Sequence, residues 1–313
     1  MKKVILTTDL GGTNLRMAAV CNDGEILSRV KYTTPRSDQP EGIVEAIGKA
    51  AEECKSKLAD CEVAAIAAAV PGTINFEKGL INQAPNLPEL DGFKMVSALE
   101  DKLNIKAFLE NDANAAAVGE SWLGASKGFD NSIMVTLGTG VGGGIIIDGK
   151  ILRGIDGTGG EIGHINVEPK GFPCGCGSFG CVEQYASATA VVRIAKEIMT
   201  EKPFTNIEEF EDFTSEDIYE IANNGSDLAK EVFRQQGFYL GIMLAGLINS
   251  LNPGAIVIGG GAAAGWDLFI EPLREQIKIR SYCEPAIRAK IMQAKLGDNA
   301  GILGVAKLGF EQI

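Results

Sequence analysis

Residues 4–14 read VILTTDLGGTN, an apolar run that ends in a pair of glycines. The run predicts a buried strand, and the glycines predict a tight turn after it. Strands are expected again over residues 15–21 and 25–32, separated by an Asp-Gly hairpin turn. The same order of strand, glycine turn, strand, Asp-Gly turn and strand returns over residues 133–153. The chain is therefore predicted to contain two related α/β halves.

Helices and buried strands alternate along the rest of the sequence, which is the pattern of parallel strands joined by crossover helices. Helices are predicted over residues 42–58, 113–123, 182–200, 215–223, 226–251 and from about 299, and strands over residues 63–70, 105–109 and 255–258. We place an N-terminal α/β domain at residues 1–112, with the C-terminal helix at 298–313 packing back on it. A larger α/β domain is placed at residues 113–297. Since no low-complexity linker separates the halves, we expect a cleft between them.

The charge balance and the cysteine content narrow the class of protein. The chain has 313 residues with a formal net charge of −12, which argues against a nucleic-acid or membrane-surface partner. No apolar stretch approaches the roughly 18 residues of a membrane span. Seven irregularly placed cysteines do not make a secreted disulfide scaffold, and no signal-peptide pattern precedes the first apolar run. We therefore expect a cytoplasmic protein with reduced thiols.

Three apolar strands end in glycine clusters, at residues 11–12, 138–144 and 259–261. Consecutive backbone N–H groups in such turns can hold phosphate oxygens, although any one cluster is equally typical of a tight hairpin or bulge. A Walker loop or a dinucleotide fingerprint needs a helix directly after the glycines, whereas strands are predicted after the first two clusters. A nucleotide held between two hairpins, one from each half, is the remaining interpretation.

The only histidine, His164, lies ten residues before the first of three closely spaced cysteines, Cys174, Cys176 and Cys181. Three thiolates and one imidazole suit a tetrahedral Zn²⁺ site, although the C-x-C spacing leaves three free buried thiols as an alternative. Four protein ligands leave no open position for a reactive water, so this zinc is expected to be structural. The remaining cysteines are expected in the core: Cys21, Cys54, Cys61 and Cys283.

Five short motifs follow one another along the chain: DLGGT at 9–13, ENDAN at 110–114, LGTGVGGG at 137–144, GEIGH at 160–164, and CGCG with GCVE at 174–183. Together they resemble the signature of the ROK family of bacterial sugar kinases and repressors. The resemblance implies an α/β protein with the actin-like ATPase (ribonuclease H-like) fold and two related domains. It also implies ATP and Mg²⁺ as cofactors beside the structural Zn²⁺.

The resemblance implies a set of site residues as well. Sugar contacts are expected from Gly72, Asn86, Asn111, Asp112, Glu161, His164 and Glu183. Contacts to ATP and its phosphates are expected from Asp9, Gly11, Gly12, Thr13, Asn14, Gly138, Thr139, Gly140, Gly259, Gly260 and Gly261. Zinc ligation is expected from His164, Cys174, Cys176 and Cys181, and magnesium binding, directly or through water, from Asp9. His164 is expected to meet a sugar hydroxyl with its second ring nitrogen.

Two of these residues have a simpler interpretation. Asp112 follows a predicted strand and opens a predicted helix, a position that by itself favours a helix N-cap. The resemblance instead implies that Asp112 is the general base for the attacking sugar hydroxyl, in a phosphoryl transfer where positioning matters more than basicity. Asn86 lies in a Pro-Asn-Leu segment that by itself is an ordinary loop. A longer segment follows it than in many family members, which leaves the identity of the sugar open.

The resemblance therefore implies an ATP-dependent hexose kinase, a glucokinase that phosphorylates the 6-hydroxyl of glucose. Kinases for N-acetylmannosamine, N-acetylglucosamine or fructose are the alternatives within the family. A sugar-responsive repressor is less favoured, because repressors carry a helix-turn-helix domain before the first strand and here that strand begins at Val4. A module that only binds sugar would not need Asp112 together with phosphate loops. The expected partners are the sugar and ATP, and the resemblance implies a homodimer.

Overall fold

The computed structural model describes residues 1–36, 39–201 and 213–313, which form twelve β-strands and ten α-helices. The strands are β1 (Lys2–Leu10), β2 (Asn14–Cys21), β3 (Ile26–Thr33), β4 (Cys61–Val70), β5 (Thr73–Asn75), β6 (Leu80–Gln83), β7 (Lys106–Asn111), β8 (Ser132–Leu137), β9 (Val141–Ile147), β10 (Lys150–Ile151), β11 (Ala255–Gly259) and β12 (Lys290–Gln293). The helices are α1 (Glu41–Ser56), α2 (Met95–Leu103), α3 (Asp112–Leu123), α4 (Glu183–Ala186), α5 (Ala188–Glu201), α6 (Ser215–Asn223), α7 (Asp227–Leu251), α8 (Trp266–Arg280), α9 (Cys283–Arg288) and α10 (Ala300–Phe310).

The first sheet has the strand order β3-β2-β1-β4-β7. Strands β1, β2 and β3 are antiparallel neighbours, whereas β4 and β7 run parallel to β1. The turn between β2 and β3 contains Gly24 with φ +87°, a left-handed conformation that glycine adopts without steric cost. The predicted order of strand, glycine turn, strand, Asp-Gly turn and strand is confirmed, followed by helix α1 as the crossover into β4.

The second sheet has the equivalent order β10-β9-β8-β11-β12. Strands β8, β11 and β12 are parallel, and β9 pairs with β10 as an antiparallel hairpin. The hairpin turn contains Asp148 and Gly149, both with positive φ. Each sheet thus has a hairpin strand pair on one side of its central strand and parallel strands on the other, which confirms the predicted internal repeat.

The chain forms two compact units. Unit 1 comprises residues 1–130, 144–160 and 295–313, and unit 2 comprises residues 131–143 and 161–294. This division differs from the predicted boundary after residue 112, because helix α3 packs on helix α10 within unit 1. A Cβ on Gly304 would lie 1.7 Å from the Ala115 carbonyl oxygen, and one on Gly119 would lie 2.2 Å from the Ala300 carbonyl oxygen. The two helices are therefore in backbone contact, which only glycine allows at these positions.

The core of unit 1 lies on both faces of the first sheet. On one face, Val4 and Leu6 pack with Ile43 and other buried residues of helix α1. On the other face, Ile5 packs with Val305 of helix α10. Because successive residues of a strand point to opposite faces, the apolar side chains of Val4, Ile5 and Leu6 fill both layers.

Helix α7 is the central helix of unit 2. It packs along α8 at Gly237 and Gly241, where an added Cβ would lie 2.2 Å from the Phe269 carbonyl oxygen and 2.6 Å from the Leu273 carbonyl oxygen. Ser226 caps α7 by accepting the Ala229 N–H. None of the helices in the described ranges, α7 included, has the length and apolar character needed to cross a membrane.

Three sequence predictions are corrected by the structure. Strand β9 begins at Val141, inside the predicted glycine cluster at 138–144, and Gly144 lies within the strand, where a Cβ would lie 2.5 Å from the Ala117 Cβ of helix α3. The predicted helix over 182–200 is two helices, since Ser187 interrupts it and accepts the Ala190 N–H with its hydroxyl. The four cysteines expected in the core do not all lie there: Cys21 and Cys54 are buried, Cys61 is partly buried and Cys283 is exposed.

Candidate active site

The glycine turn of unit 1 joins β1 to β2. The Gly11 N–H donates to the Asn14 carbonyl oxygen at 2.9 Å, and the Thr34 hydroxyl donates to the Gly11 carbonyl oxygen at 2.6 Å. A Cβ on Gly12 would lie 3.5 Å from the Asn86 Cβ, so the turn lies directly beside the predicted sugar contact. Because the Gly11 N–H is used within the turn, only the N–H groups that follow it would be available to the predicted phosphate.

Asp9 lies near the end of β1 and forms an ion pair with Arg16, at 3.1 Å from Oδ2 to Nη1. Arg16 also pairs with Asp298, at 3.2 Å. Burial raises the pKa of Asp9, the charge and hydrogen bond of Arg16 lower it, and the net direction is upward. A carboxylate whose charged form is penalised by burial is stabilised by a nearby cation, so Asp9 fits the magnesium role predicted for it.

Asp112 is the first residue of helix α3, and Asn111 is the residue that caps it. The Asn111 Oδ1 accepts from the N–H groups of Ala113 and Asn114, both at 3.0 Å, and its Nδ2 donates to the Gly72 carbonyl oxygen at 3.0 Å. The Asp112 Oδ1 shares the Ala113 N–H, at 2.9 Å. The simpler interpretation of Asp112 as the N-cap is therefore wrong, because the side chain of Asn111 caps the helix.

The glycine turn of unit 2 joins β8 to β9. The Gly138 N–H donates to the Gly140 carbonyl oxygen at 3.0 Å, which closes the turn. The Gly138 carbonyl oxygen accepts the Ala188 N–H at 2.8 Å, and the Thr139 carbonyl oxygen accepts the Thr189 hydroxyl at 2.9 Å. The turn is thus held against the first residues of helix α5.

The third glycine cluster follows strand β11. Gly259 ends the strand, and Gly260 has φ +91°, a conformation that non-glycine residues rarely adopt. A Cβ on Gly260 would lie 2.3 Å from the Leu137 carbonyl oxygen. This contact places the third cluster against the end of β8, next to the turn at Gly138.

Glu183 connects the second glycine turn to the cysteine cluster. Its Oε2 accepts the Val141 N–H at 3.0 Å, and its Oε1 lies 3.9 Å from the Cys174 Sγ. Glu161 lies nearby in the same unit: burial raises its pKa, the charge of His164 lowers it and the Glu183 carboxylate raises it, with a net upward shift. Three of the predicted sugar contacts therefore lie close together, since the charges of His164 and Glu183 both act on the pKa of Glu161.

His164, Cys174, Cys176 and Cys181 bring their ligand atoms within 4.8 Å of one another. The Cys176 and Cys181 sulfurs are 3.7 Å apart, and the Cys174 sulfur is 3.6 Å from the His164 Nδ1. In a zinc tetrahedron with bonds of about 2.3 Å to sulfur, two sulfurs are about 3.8 Å apart. The four side chains therefore fit the predicted zinc ion. His164 has its Nδ1 atom on the side of the cysteines.

Two thiols of this cluster have pKa values shifted in opposite directions. Burial and the neighbouring thiols raise the pKa of Cys181 to about 12. The Cys176 thiol has a lowered pKa, chiefly because a backbone N–H of Ser178 stabilises its thiolate. A dication offsets the cost of holding several thiolates together, which is the chemistry of a structural zinc site.

The predicted site residues fall into two sets, one in each unit. Unit 1 holds Asp9, Gly11, Gly12, Thr13, Asn14, Gly72, Asn86, Asn111 and Asp112. Unit 2 holds Gly138, Thr139, Gly140, Glu161, His164, Cys174, Cys176, Cys181, Glu183, Gly259, Gly260 and Gly261. The assignment of these residues to sugar, nucleotide and metal stays a prediction.

Comparison with known proteins identifies the family. The sequence model described as "ROK family" matches residues 5–311. The chain belongs to the ROK family. A glucokinase from Halalkalibacterium halodurans is 37% identical to it over 303 residues, covering 95% of this chain and 92% of the relative.

Two solved ROK structures share the fold. A ROK hexokinase from Thermus thermophilus superposes with a TM-score of 0.84 at 32% identity, covering 99% of this chain and 100% of that one. A ROK glucokinase from Streptomyces griseus in complex with glucose and AMPPNP superposes with a TM-score of 0.80 at 35% identity, covering 97% and 98%. The predicted ROK membership and the actin-like α/β fold are therefore confirmed.

Three charged residues beside the candidate site have no role in the sequence prediction. Arg16 pairs with Asp9, and Arg153 pairs with the buried Glu110. Glu110 carries a signal in the sequence, because it opens the ENDAN motif. Arg16 and Arg153 lie outside the motifs, and Arg153 is 43 residues from Glu110, so only the folded chain brings that pair together.

Proposed function

We propose that this sugar kinase transfers the γ-phosphoryl group of ATP to the 6-hydroxyl of glucose, with Asp112 as the general base. The similarity to a glucokinase along nearly the whole chain carries the proposal for glucose. The Streptomyces griseus relative, solved with glucose and AMPPNP, supports an adenine nucleotide as the donor. N-acetylmannosamine, N-acetylglucosamine and fructose remain the alternative acceptors.

The capping of helix α3 by Asn111 supports the role of Asp112. Because the helix has its cap, the Asp112 carboxylate is not required for that purpose. In the proposed transfer, the sugar 6-oxygen forms a bond to the γ-phosphorus while the bond from that phosphorus to the bridging oxygen of ADP breaks. The hydroxyl proton passes to the Asp112 carboxylate. Since the transition state of phosphoryl transfer is loose, the base acts mainly by orienting the hydroxyl and accepts its proton late.

Sugar recognition is assigned to polar groups whose other bonds are already fixed. The Asn111 amide donates one hydrogen to Gly72 and has a second for a sugar hydroxyl. His164 presents Nδ1 to the cysteine cluster, and its Nε2 is the atom proposed to meet the sugar. Glu161 and Glu183 would accept from hydroxyls of the ring. An epimer would leave at least one of these groups unpaired, which is how such a site discriminates.

The metal ions are proposed to act beside these residues. Asp9 would hold magnesium, directly or through water, and magnesium supplies charge neutralisation at the phosphates. The N–H groups of the three glycine turns would bind the phosphates and face the nucleoside. His164 and the three cysteines would hold zinc, which fixes the loop between Gly160 and Glu183. A cytoplasmic location, where ATP and reduced thiols are available, belongs to the same proposal.

A homodimer also belongs to the proposal, from the family resemblance. Phe179 and Phe238 in unit 2 are exposed by 57% and 37%, and aromatic surface of this kind is typical of subunit interfaces. One chain has a mass of 33.0 kDa, and light scattering after size exclusion should give twice that mass. A monomer mass at all concentrations would contradict this part of the proposal.

An ADP-release assay over a panel of hexoses and N-acetylhexosamines tests the function. We expect the highest kcat/KM with glucose, and a fall in kcat of about 10²- to 10⁴-fold in Asp112→Asn. The matched control is Asp101→Asn, a change of the same kind at an exposed position of helix α2, which should have wild-type kcat. No ADP release with any sugar would refute the kinase, and a kcat of Asp112→Asn within a few fold of wild type would refute the base.

A further inference from the structure

A fully buried carboxylate lies two residues before Asp112. Glu110 is 0% exposed, and its Oε1 accepts the Asn111 N–H and the Asn114 Nδ2, both at 3.0 Å. The first of these groups belongs to the cap of helix α3 and the second to its first turn. Glu110 therefore holds the Asn111 backbone on one side of Asp112 and the Asn114 side chain on the other.

The second carboxylate oxygen of Glu110 is taken by Arg153. The Arg153 Nε and Nη2 both donate to Oε2, at 2.9 and 2.6 Å. Charge-assisted bonds of this length are among the strongest in proteins, and a buried carboxylate that loses its partner is costly. Two donors in a fixed planar arrangement are a property of arginine and not of lysine.

Arg153 also contacts the hairpin of β5 and β6. Its guanidinium lies 4.9 Å from the centre of the Phe76 ring. Four residues further along the Arg153 loop, a Cβ on Gly157 would lie 2.4 Å from the Ile74 carbonyl oxygen and 2.9 Å from the Phe76 ring. The loop after β10 is therefore packed closely onto this hairpin as well as bonded to Glu110.

Three segments meet at Arg153, and each one leads to a proposed sugar contact. The hairpin begins directly after Gly72 and ends shortly before Asn86. The junction of β7 and α3 carries Asn111 and Asp112. The loop that starts at Arg153 ends at Gly160, the residue before Glu161. The Arg153 guanidinium thus contacts both of the other segments of unit 1 that lead to the proposed sugar contacts.

We propose that Arg153 is a positioning residue for phosphoryl transfer, acting through Glu110 to hold the cap of helix α3 and with it the Asp112 carboxylate. The inference rests on the proposed role of Asp112 as general base. Displacement of a catalytic group by about 1 Å can cost about 10²-fold in rate. Loss of the bonds from Arg153 to Glu110 should therefore reduce kcat more than it reduces sugar affinity, because several other side chains are proposed to bind the sugar.

A purely structural role makes a different prediction. If Arg153 only neutralises the buried charge of Glu110, removing both charges together should restore the enzyme. In the double variant Glu110→Gln with Arg153→Met, the glutamine oxygen can still accept from Asn111 and Asn114, but the tie to the loop after β10 is gone. Neutralisation predicts a recovered kcat, whereas positioning predicts that kcat stays low in a stable protein.

The experiment compares Arg153→Lys, Arg153→Met and the double variant in the full-length protein. We expect kcat to fall at least about tenfold in all three, with the KM for glucose changed less than about threefold. The thermal midpoint of the double variant should lie within a few degrees of wild type. Lys150→Met, a change at an exposed position of strand β10 three residues before Arg153, is the matched control and should keep the wild-type kcat.

A kcat within twofold of wild type in Arg153→Lys or in the double variant would overturn the positioning role. Asp112→Asn in the same assay separates this failure from that of the proposed function. Full-rate Arg153 variants beside an inactive Asp112→Asn refute the role of Arg153 alone. An active Asp112→Asn refutes the general base, and the role of Arg153 with it.

Discussion

A methyl group added at Gly140 should loosen Glu183 and weaken sugar binding without touching the sugar. In Gly140→Ala, the new Cβ would lie 2.3 Å from the Glu183 Oε2 and 3.2 Å from its Cδ. The carboxylate must withdraw by about 1 Å to reach ordinary contact distance. Its bond from the Val141 N–H, now 3.0 Å, would then exceed hydrogen-bonding distance.

The energetic effect follows from that lost bond. A hydrogen bond to a charged group stabilises the folded state by about 1.5–3 kcal/mol, and this contribution is lost when the bond is broken. Alanine also restricts the unfolded chain, which stabilises the folded state by about 0.4–1 kcal/mol where the backbone is compatible, and Gly140 does not have a positive φ. We therefore expect the free energy of unfolding to fall by about 1–2 kcal/mol. If Glu183 is the proposed sugar contact, its displacement should raise the KM for glucose by about tenfold, since one contact of comparable energy is lost.

Gly138→Ala is the matched control, because a Cβ at Gly138 would meet no other atom within 4 Å. Both changes lie in the same turn, so an effect on ATP binding is expected to be shared by the two variants. Urea unfolding and glucose titrations at saturating ATP distinguish them. Equal stability in the two variants would refute the contact with Glu183, and an unchanged glucose KM in a destabilised Gly140→Ala would refute the sugar role of Glu183.

Three further predictions concern the metals and the packing of the helices. Chelation or Cys176→Ser should remove one zinc per chain and abolish glucose binding, measured by metal analysis and calorimetry, whereas Cys283→Ser at an exposed position should retain both. Gly304→Ala should lower the unfolding free energy by at least about 1–3 kcal/mol in urea titrations, because its Cβ would lie 1.7 Å from a carbonyl oxygen of helix α3, whereas Gly246→Ala, with open space, should not. Because burial raises the pKa of Asp9 above 3.8, its protonated form stabilises the fold at low pH, and this contribution is lost as the pH rises through the raised pKa. Thermal unfolding at neutral pH without nucleotide should therefore show Asp9→Asn to be more stable than wild type, while its KM for MgATP rises.

The hairpins of the fold could be predicted because they depend on local signals. The apolar run of β1, the glycines after it and the Asp-Gly turn lie within a few residues of one another, and the repeat doubles the signal. Helix α8 is not predicted, since Pro272 lies in its interior and proline normally ends a helix. The start of β9 is not marked in the sequence, because the glycine cluster at 138–144 is typical of a turn, whereas Gly144 lies inside the strand in close contact with α3.

Sequence motifs indicate the candidate site residues, whereas the side chains that pair with them carry no such signal. The zinc ligands are close in sequence, and the structure brings their donor atoms together. The capping of α3 by Asn111 instead of Asp112 depends on which of two adjacent side chains turns back to the helix, which composition does not determine. The pairs of Arg16 with Asp298 and of Arg153 with Glu110 join distant parts of the chain, so only the fold reveals them.

Two carboxylates in this kinase, one in each unit, both accept a backbone N–H and so hold the chain beside the candidate site. Glu110 accepts the Asn111 N–H and pairs with Arg153, and Glu183 accepts the Val141 N–H beside Cys174. An ionised carboxylate only accepts hydrogen bonds, so it fixes the N–H groups that converge on it without competing for their carbonyls. Removing either carboxylate would mix the loss of this support with the loss of a charge. Changing its neighbour, by Arg153→Lys or Gly140→Ala, leaves the charge in place and alters only position, which is why these variants separate geometry from chemistry.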